Sequence, residues 1–436
     1  MAKLFLLSRR TWVALCFFCV IFFPCFSCGQ QPVQLTITQA WELAKKNYPL
    51  IKQYELVART RDYSVANASK GYLPAFTING QATYQSDVTN LPFKIPISGF
   101  SLPTYSRDQY KIYAEADQVI YDGGAIKSQK ESAAVNATIQ QQNLEVELYS
   151  LYDRISQLYF GSLLVDEQLQ QNDLLKKDVQ NGLDKVQAQV GNGTAYRSSA
   201  DELSAQLLQA DQSRIELQSV RKAYLAMLGY FVHLSLSENT VLEKPQAPDF
   251  TDNINRPELL LYDFQKQNYD LQDKLLKVQL RPKFSFFVQG GYGRPGLNFL
   301  NNNFQWYYIG GIRMTWNLGS WYTLKNQRQL LTINRESLDI EKETFQFNTR
   351  ITQQQQSAEI LKYVELIKKD DGIISLRESV KNAASAQLEN GVLSAHDYIT
   401  EVDAEDQARQ NLILHQVQLL QAQYNYQNTT GHIKMQ

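Results

Sequence analysis

The longest hydrophobic pattern in the chain lies between Leu144 and Val190. Steps of alternating four and three residues mark fourteen positions there, of which eleven are apolar and none is proline. An apolar period of 3.5 residues sustained over this distance is typical of a coiled-coil helix. We expect the helix to begin near Gly124 and to be roughly 100 Å long at about 1.5 Å per residue. The fourteen positions are Leu144, Leu148, Leu151, Ile155, Leu158, Ser162, Val165, Leu169, Asn172, Lys176, Val179, Leu183, Val186 and Val190.

Glycine and asparagine end this helix, and a similar segment ends a second very long helix predicted from about Leu324 to Glu389. A return helix follows each end, and Thr194 is the expected N-cap of the first return helix. The second return helix is predicted to extend to about Gln427. The two predicted helix tips are Asn192, Gly193 and Thr194 in the first half, and Asn390, Gly391 and Val392 in the second.

Four short segments alternate between two sets of residues, strictly apolar against polar in the first, which is the pattern of a strand with two different faces. About ten alternating residues also match the length of a tilted membrane strand. A polar loop with several prolines separates the first two. The predicted strands are Phe76–Gln85, Tyr110–Tyr121, Phe284–Gly290 and Trp306–Trp316.

A helix precedes each pair of strands. The first is predicted over residues 35–69, with Thr38 as its N-cap and a bend at Pro49. The second leads to Pro282. Each half therefore contains a short helix, two strands, a long helix, a tip and a return helix, which indicates an old internal duplication. We expect a first structural repeat over residues 29–250 and a second over residues 251–436.

The first 28 residues have the layout of a secretory signal peptide, with a basic start, an apolar run and small residues. Pro24 shortens the apolar run below the ~20 residues that a membrane span needs, which disfavours an uncleaved anchor. All four cysteines lie in this segment, so we expect neither disulfides nor thiolate metal sites in the exported part. Two alternatives remain open for Cys28: it is a lipid acceptor, or the signal is cleaved nearby.

Charge and motif content exclude several functions. Without the three basic residues of the signal, 40 basic residues stand against 44 acidic ones, which argues against a nucleic-acid partner. The GxGxxG match at residues 291–296 leads into a Pro-Gly loop and not into a helix, so it does not predict a dinucleotide site. The four histidines lack metal-ligand spacing, and no nucleophile set is recognisable. We expect no enzyme activity, no cofactor and no metal.

Four membrane strands cannot close a barrel, because closure takes about eight or more. An open edge would leave unpaired backbone groups in lipid. We therefore expect several copies of the chain to share one barrel, with polar strand faces around a water-filled lumen and the helices continuing that lumen as a tube. Aromatic residues at the strand ends suit the two membrane interfaces: Tyr84, Tyr110, Tyr292, Trp306 and Trp316.

The duplicated order of elements, the Tyr121-Asp122-Gly123-Gly124 exit from the strands and the paired Asn-Gly tips resemble the TolC-like outer membrane efflux proteins. The resemblance covers essentially the whole exported chain. It implies an α+β membrane protein, a homotrimer with a twelve-stranded β-barrel in the outer membrane and a coiled-coil α-helical tunnel through the periplasm. It also implies a tripartite efflux or type I secretion system, in which the channel passively conducts substrates from a periplasmic adaptor and an inner-membrane transporter to the exterior.

The same resemblance assigns roles to particular residues. The family places adaptor contact at the two helix tips, for which C-capping by glycine is the alternative reading, and both can hold. The family also narrows its tunnel with acidic residues six and nine positions after the second tip glycine. Asp397 matches the first position, whereas the second is Thr400, with Glu401 beside it. One carboxylate ring is therefore supported, and a capping box between Ser394 and Asp397 is the alternative.

The main rival is an exported coiled-coil scaffold or a trimeric adhesin-like stalk without a pore. Such a protein explains the long helices. It does not explain four alternating strands at matching places in the two halves, so the channel is the leading hypothesis.

Overall fold

The computed structural model describes residues 34–88, 106–298 and 301–433. The predicted signal peptide, including Cys28, lies outside these residues. The chain is mostly helical, and no helix in the described ranges combines the length and hydropathy that a bilayer span requires. In chain order the elements are β1 (Gln34–Leu35), α1 (Ile37–Asn47), α2 (Gln53–Ser69), β2 (Ala75–Tyr84), β3 (Asp108–Tyr121), α3 (Ala125–Gly191), α4 (Arg197–Val232), β4 (Val241–Leu242), α5 (Pro257–Gln279), β5 (Lys283–Arg294), β6 (Gln305–Thr315), α6 (Ser320–Glu389) and α7 (Ala395–Thr430).

The long helix α3 buries the apolar positions that the sequence marks. Of the fourteen marked positions, ten are buried and four are half-buried. The helix begins where the sequence predicts, because Asp122 caps it: its two carboxylate oxygens accept hydrogen bonds from the backbone N–H groups of Gly124 (2.8 Å) and Ile126 (2.6 Å). Gly124 has φ of 96°, a left-handed conformation that glycine adopts without steric cost.

The prediction of Thr38 as the first N-cap is wrong. Thr36 caps α1, and its hydroxyl accepts a hydrogen bond from the backbone N–H of Gln39 at 3.2 Å. The Gln39 side chain accepts in return from the Thr36 backbone at 3.2 Å, so the two form a capping box. Thr38 lies inside the first turn, where its hydroxyl is 3.0 Å from that of Thr36.

The predicted bend at Pro49 is a complete break. A short 3-10 turn over Pro49–Lys52 separates α1 from α2. Proline has no N–H to donate to the preceding turn and forces an extended conformation on the residue before it. Tyr48 accordingly has φ −64° and ψ 131°. One predicted helix is therefore two.

Four strands form one antiparallel sheet in the order β2-β3-β5-β6. β3 starts two residues earlier than the sequence predicts, and β5 extends four residues further. Phe76 pairs with Ala116, which pairs with Val288, which pairs with Gly310. Because side chains alternate along a strand, this register brings the predicted apolar set of every strand onto one face.

The helices continue the sheet in the same order. Next to the sheet, α2 packs on α3, α3 on α5, and α5 on α6. Nearer the tips, α4 packs on α3, α3 on α7, and α7 on α6. We call the three layers the sheet, the sheet-proximal layer and the tip-proximal layer. Each is a wall four elements wide.

A small body lies beside the middle of α3. The parallel pair β1 and β4, α1 and the end of α7 build it around aromatic side chains. The Tyr159 hydroxyl donates to the backbone carbonyls of Leu35 (2.8 Å) and Glu243 (2.6 Å). The Trp41 indole N–H donates to Ser156 at 3.2 Å. The sequence does not predict this body, because two-residue strands leave no periodic pattern.

Candidate functional site

The two faces of the sheet differ in chemistry and exposure. On one face, Phe76, Ile78, Trp306 and Tyr308 are 79–83% exposed. An apolar sheet face that is this exposed requires an apolar surrounding or a partner. We call it the outer face. Its apolar, aromatic and glycine residues are Phe76, Ile78, Gly80, Ala82, Tyr84, Tyr110, Ile112, Ala114, Ala116, Phe284, Phe286, Val288, Gly290, Tyr292, Trp306, Tyr308, Gly310, Ile312 and Met314, and the register adds Asp108, Gln118 and Arg294 to the same face.

The opposite, inner face carries most of the polar and charged residues of the strands. The Arg313 guanidinium of β6 is 2.8 Å from the Glu115 carboxylate and 2.9 Å from that of Asp117, both on β3. It also lies 4.4 Å from the centroid of the Phe287 ring on β5, the strand between them. The charges of this face therefore neutralise one another across three strands.

Aromatic side chains also occur on the inner face, and glycines explain how they fit. A Cβ at Gly291 would lie 2.6 Å from the Tyr113 Cβ and 2.9 Å from the Tyr307 Cζ. A Cβ at Gly311 would lie 3.3 Å from the Phe287 ring. The aromatic side chains of Tyr113, Tyr307 and Phe287 consequently lie along the sheet, over the backbone of the two glycines. The alternation pattern predicts a polar face and gives no sign of this arrangement.

The predicted aromatic residues gather at the two ends of the strands. Tyr292 and Trp306 have ring centroids 5.1 Å apart, and Phe304 stacks on Tyr292 at 5.5 Å. Tyr110 lies 6.2 Å from Phe304. At the other end, the Trp316 indole N–H donates to the backbone carbonyl of Leu280 at 2.9 Å. Rings with polar tips therefore bracket the exposed apolar face.

The first helix tip is an exposed turn built on Gly193. Gly193 has φ of 75°, and no described atom lies within 4 Å of a Cβ added there. The prediction that Thr194 caps α4 is wrong. Its backbone N–H (2.9 Å) and its hydroxyl (3.1 Å) both donate to the carbonyl of Gln189. The left-handed glycine turns Thr194 back over the end of α3, and Tyr196 occupies the N-cap position of α4.

The second tip repeats this geometry. Gly391 has φ of 70°, and the backbone N–H of Val392 donates to the carbonyl of Gln387 at 2.9 Å. The Asn390 side chain donates to the carbonyl of Ala386 at 2.8 Å. Val392 itself is 77% exposed. Both tips therefore have the C-capping role that was the alternative reading, and both present free surface.

The structure brings the two tips together. The Gln189 side-chain amide at the end of α3 donates to the carbonyls of Leu388 (2.7 Å) and Glu389 (3.1 Å) at the end of α6. The Lys185 ammonium is 2.9 Å from the Glu389 carboxylate. Sequence reasoning missed Gln189, although an Ala-Gln pair precedes both tips: Ala188-Gln189 and Ala386-Gln387.

The residues matched to a tunnel constriction lie at the start of α7. The Ser394 hydroxyl accepts from the backbone N–H of Asp397 (3.1 Å) and donates to its carboxylate (2.7 Å). Ser394 is therefore the N-cap of α7, which is one half of the capping box that the sequence suggests. Thr400 is exposed and donates to the carbonyl of His396 at 3.0 Å. Glu401 lies 3.4 Å from Arg377.

A polar network joins α3, α6 and α7 above the tips. The Lys381 ammonium lies 2.7 Å from Asp178 and 3.4 Å from Glu405. Asp406 is buried and accepts hydrogen bonds from the amides of Gln171 and Gln410, each at 2.8 Å. Burial raises the pKa of Asp406 despite these bonds. Within the described ranges, no group of three or more His, Cys, Asp or Glu side chains is arranged to hold a metal ion.

Comparisons with known proteins agree with this architecture. The sequence profile of the outer membrane efflux proteins matches residues 40–228. The outer membrane protein VceC of Vibrio cholerae is 11% identical, with a TM-score of 0.63 over 91% of this chain and 96% of that chain. The CmeC outer membrane channel of Campylobacter jejuni is 12% identical, with a TM-score of 0.62 over 91% of this chain and 85% of that chain.

The open-state MtrE outer membrane channel of Neisseria gonorrhoeae is 13% identical, with a TM-score of 0.62 over 92% of this chain and 90% of that chain. At such identities, the likeness to solved structures shows a shared fold. No curated protein sequence matches the chain significantly.

The profile match covers the part of the chain that contains α2, β2, β3, α3 and most of α4. The family is one of outer-membrane channels and not a class of enzymes. Both the matched family and the similar solved structures are outer membrane proteins. Residues 40–228, somewhat less than half of the chain, match the profile of the outer membrane efflux proteins, the TolC-like family that the sequence pattern resembles.

Proposed function

We propose that the protein is the homotrimeric outer-membrane channel of a tripartite efflux or type I secretion system. One observation carries the proposal: every layer of the fold is a four-element wall with two free sides. In the sheet, β2 and β6 each pair with one strand in the described part of the chain. Unpaired strand edges are not stable in lipid, so these edges need further copies of the chain.

The helical layers have matching free sides. On α6, the exposed apolar residues Ile333, Ile340 and Phe347 recur every seven residues, on the face turned away from α5. On α4, exposed Leu208 and Ile215 are also seven apart, on the face turned away from α3. This is the period of a coiled-coil seam. Contact between two different sides of the same chain is head-to-tail, and it produces a closed ring when the rotation from one copy to the next closes.

Three copies give a ring of twelve strands, in line with the family that the chain resembles. The outer face would meet lipid and the inner face would line the lumen. The body around Trp41 would lie outside the tube, where it leaves the lumen open. Such a channel conducts substrates passively, because no group in the described residues suggests an energy source.

We further propose that the two helix tips contact a periplasmic adaptor, which links the channel to an inner-membrane transporter. What supports this is that two exposed left-handed glycines, Gly193 and Gly391, lie at one end of the molecule with no packing role around their Cα atoms. Asp397, with Thr400 and Glu401 nearby, is the proposed constriction. Three copies would place three Asp397 carboxylates around the tunnel, and such a ring favours cations.

We also propose that the chain consists of two structural repeats, over residues 29–250 and 251–436. The shared order of a helix, two strands, a long helix, a tip and a return helix supports this division. We propose that residues 1–28 are a signal peptide and that Cys28 is either lipidated or removed by cleavage nearby. Mass spectrometry of the N-terminal peptide from outer membranes distinguishes the two outcomes.

The main test is to purify the full-length protein from outer membranes, determine its oligomeric state and record conductance in planar bilayers. We expect an SDS-resistant trimer that forms stable ion-conducting pores. A soluble, non-conducting oligomer would instead favour the coiled-coil scaffold, and a stably inserted monomer would contradict the shared barrel.

The tip assignment is tested by Gly193→Trp with Gly391→Trp, measured by cross-linking to the adaptor. The matched control is Gly193→Ala with Gly391→Ala, which imposes the same positive-φ strain with little bulk. We expect the tryptophans to abolish cross-linking and the alanines to retain most of it, while trimers assemble in both. Unchanged cross-linking in the tryptophan variant would show that the adaptor does not contact the tips.

A further inference from the structure

A groove lies between α5 and α6, immediately below the sheet. It has a volume of about 570 Å³. On α6, Trp321, Lys325, Arg328 and Thr332 recur at steps of four, three and four residues, so they share one helix face. Tyr269 and Asp273 of α5 lie across from them. The membrane fold and the tip assignment leave this groove without a function.

The groove is basic. Lys325, Arg328 and Arg335 line it, against the single carboxylate of Asp273. The Arg328 Nε is 2.7 Å from Asp273, and the Lys277 ammonium at the rim is 2.8 Å from the same carboxylate. The hydrogen bond from Lys277, together with that from Arg328, lowers the pKa of Asp273. This carboxylate is thus ionised at neutral pH.

Cations outnumber carboxylates in the groove even when Lys277 and Asp270 at its rim are counted. Arg335 lies 3.0 Å from Asp270, so Asp273 and Asp270 stand against three lining cations and Lys277. Arg328 contacts Asp273 through Nε, and guanidinium has further N–H donors for a second acceptor. Lys325 is exposed, and Arg328 is 51% exposed. The groove therefore has donors available to an anion from solution.

The groove opens on the side of the wall that carries the body. Gln353 lies 28 residues after Lys325, which is eight turns of a 3.5-residue period and hence the same helix side. Its amide donates to the carbonyl of Asp252, in the connector that packs on the body, at 3.2 Å. The opposite side of the α5–α6 pair is lined by amides and hydroxyls, including Asn268, Gln272, Asn334 and Ser337.

This inference rests on the proposed assembly, in which the body side is the outside of the tube. The groove then lies directly below the apolar outer face. Met314 is the last outer-face residue of β6, Trp316 follows it, and Trp321 begins the groove with 55% of its surface exposed. Exposed tryptophan beside arginine and lysine is typical of the headgroup region of a bilayer.

We propose that the groove formed by Trp321, Lys325, Arg328 and Arg335 binds the phosphate headgroup of an anionic phospholipid from the periplasmic leaflet. The cations bind the phosphate, and Trp321 lies at the boundary between headgroup and acyl chains. In a ring of three copies, three such sites surround the tube and hold the channel at a fixed depth in the bilayer.

The test uses native mass spectrometry of the detergent-purified full-length trimer, titrated with phosphatidylglycerol or phosphatidylcholine. We expect the wild type to bind phosphatidylglycerol more tightly than phosphatidylcholine. Because each basic residue near a membrane surface contributes about a fivefold effect, Lys325→Gln with Arg328→Gln should weaken phosphatidylglycerol binding by about tenfold or more. Phosphatidylcholine binding should not change, and Lys325→Arg should retain the preference.

The matched control is Lys368→Gln with Lys369→Gln on the same helix, about 60 Å away at ~1.5 Å per residue. It removes the same charge and should leave the lipid preference intact. Equal loss in this control would indicate nonspecific attraction and overturn the site. Binding of inorganic phosphate without a preference for phosphatidylglycerol would also overturn it.

Conductance of the same preparations separates this inference from the proposed function. Wild-type channels that conduct but show no preference for phosphatidylglycerol would contradict the lipid site alone. Preparations that neither form trimers nor conduct would contradict the channel.

Discussion

The two longest helices are nearly equal in length and very different in surroundings. α3 has 67 residues, of which twenty are buried, whereas α6 has 70 residues, of which seven are buried. α3 packs on α2, α4, α5 and α7, and it runs through the middle of the wall. α6 lies at the side of the wall. Helix length therefore does not indicate where the stability of one chain comes from.

The apolar residues of the two helices differ accordingly. The seam of α3 faces partners in the same chain, and Ile155, Tyr159 and Phe160 are completely buried. The stripe of α6 is exposed, with Ile340 and Phe347 each at 63%. We infer that α3 stabilises the fold of each chain and that α6 stabilises the assembly of several chains. Substitutions in the two helices should then have different consequences.

The largest effect is expected for Tyr159→Ala in α3. The side chain is completely buried, and its hydroxyl donates to the carbonyls of Leu35 and Glu243. Removing a buried aromatic ring costs about 3–5 kcal/mol of the free energy of unfolding. The lost hydrogen bond to the Glu243 carbonyl would add to that loss, whereas the Leu35 carbonyl would keep its bond from the backbone N–H of Glu243 at 3.2 Å. Urea unfolding followed by helical circular dichroism measures it.

The control for this substitution is Tyr196→Ala at the first tip, where the tyrosine is 83% exposed. Substitutions at exposed positions usually change stability by less than about 0.5 kcal/mol. Similar losses in the two variants would show that α3 does not carry the core assigned to it.

A smaller effect, of a different kind, is expected for Ile340→Ala with Phe347→Ala in α6. Because each side chain is already about a third covered, it contributes less than the ~1.5–3 kcal/mol of full burial if another copy covers it, and little if it stays in water. We expect SDS-resistant trimers to dissociate at a lower temperature, with unchanged helix content. Asn348→Ala, on another face of the same helix, is the control. Trimers as stable as the wild type would exclude this face of α6 from the subunit contact.

This difference between α3 and α6 marks the limit of what the sequence predicts. The 3.5-residue period of α3 identifies the helix and its buried positions, because its seam is continuous from Leu144 to Val190. Alternation along the chain likewise predicts the four strands and their apolar face. Both patterns report burial on one side of an element. Neither reports which element, or which copy of the chain, covers that side.

The errors arise at chain reversals and at the candidate site. Thr38 and Thr194 both look like N-caps, but the side chain that caps depends on where the backbone first becomes helical. In α1 the residue just before the helix is Thr36, and at the first tip Gly193 turns Thr194 back toward α3.

The groove at Trp321 and Lys325 was not predicted, because its two sides come from α5 and α6, which are separated in sequence by two strands.

The smallest expected effect on the free energy of unfolding concerns two carboxylates, one on each long helix. Glu145 of α3 accepts from the Lys45 ammonium at 2.8 Å and from the Tyr54 hydroxyl at 2.5 Å. Burial alone would raise the pKa of Glu145, but these two hydrogen bonds outweigh it and lower the pKa below its usual value. On α6, the hydrogen bond from Lys368 lowers the pKa of Glu365.

We expect Glu145→Gln to reduce the free energy of unfolding by about 1 kcal/mol at pH 7, since the half-exposed pair is partly screened. A depressed carboxyl pKa stabilises the folded state above the unfolded pKa, and that stabilisation is lost as the pH falls through the folded pKa. The difference between Glu145→Gln and the wild type should therefore shrink below about pH 4.5. Glu365→Gln should show no measurable difference at any pH, because solvent screens a fully exposed pair. Urea midpoints measured at several pH values test both expectations. Equal pH dependence in the two variants would show that a carboxylate on the internal helix α3 stabilises the fold no more than one on α6 at the side of the wall.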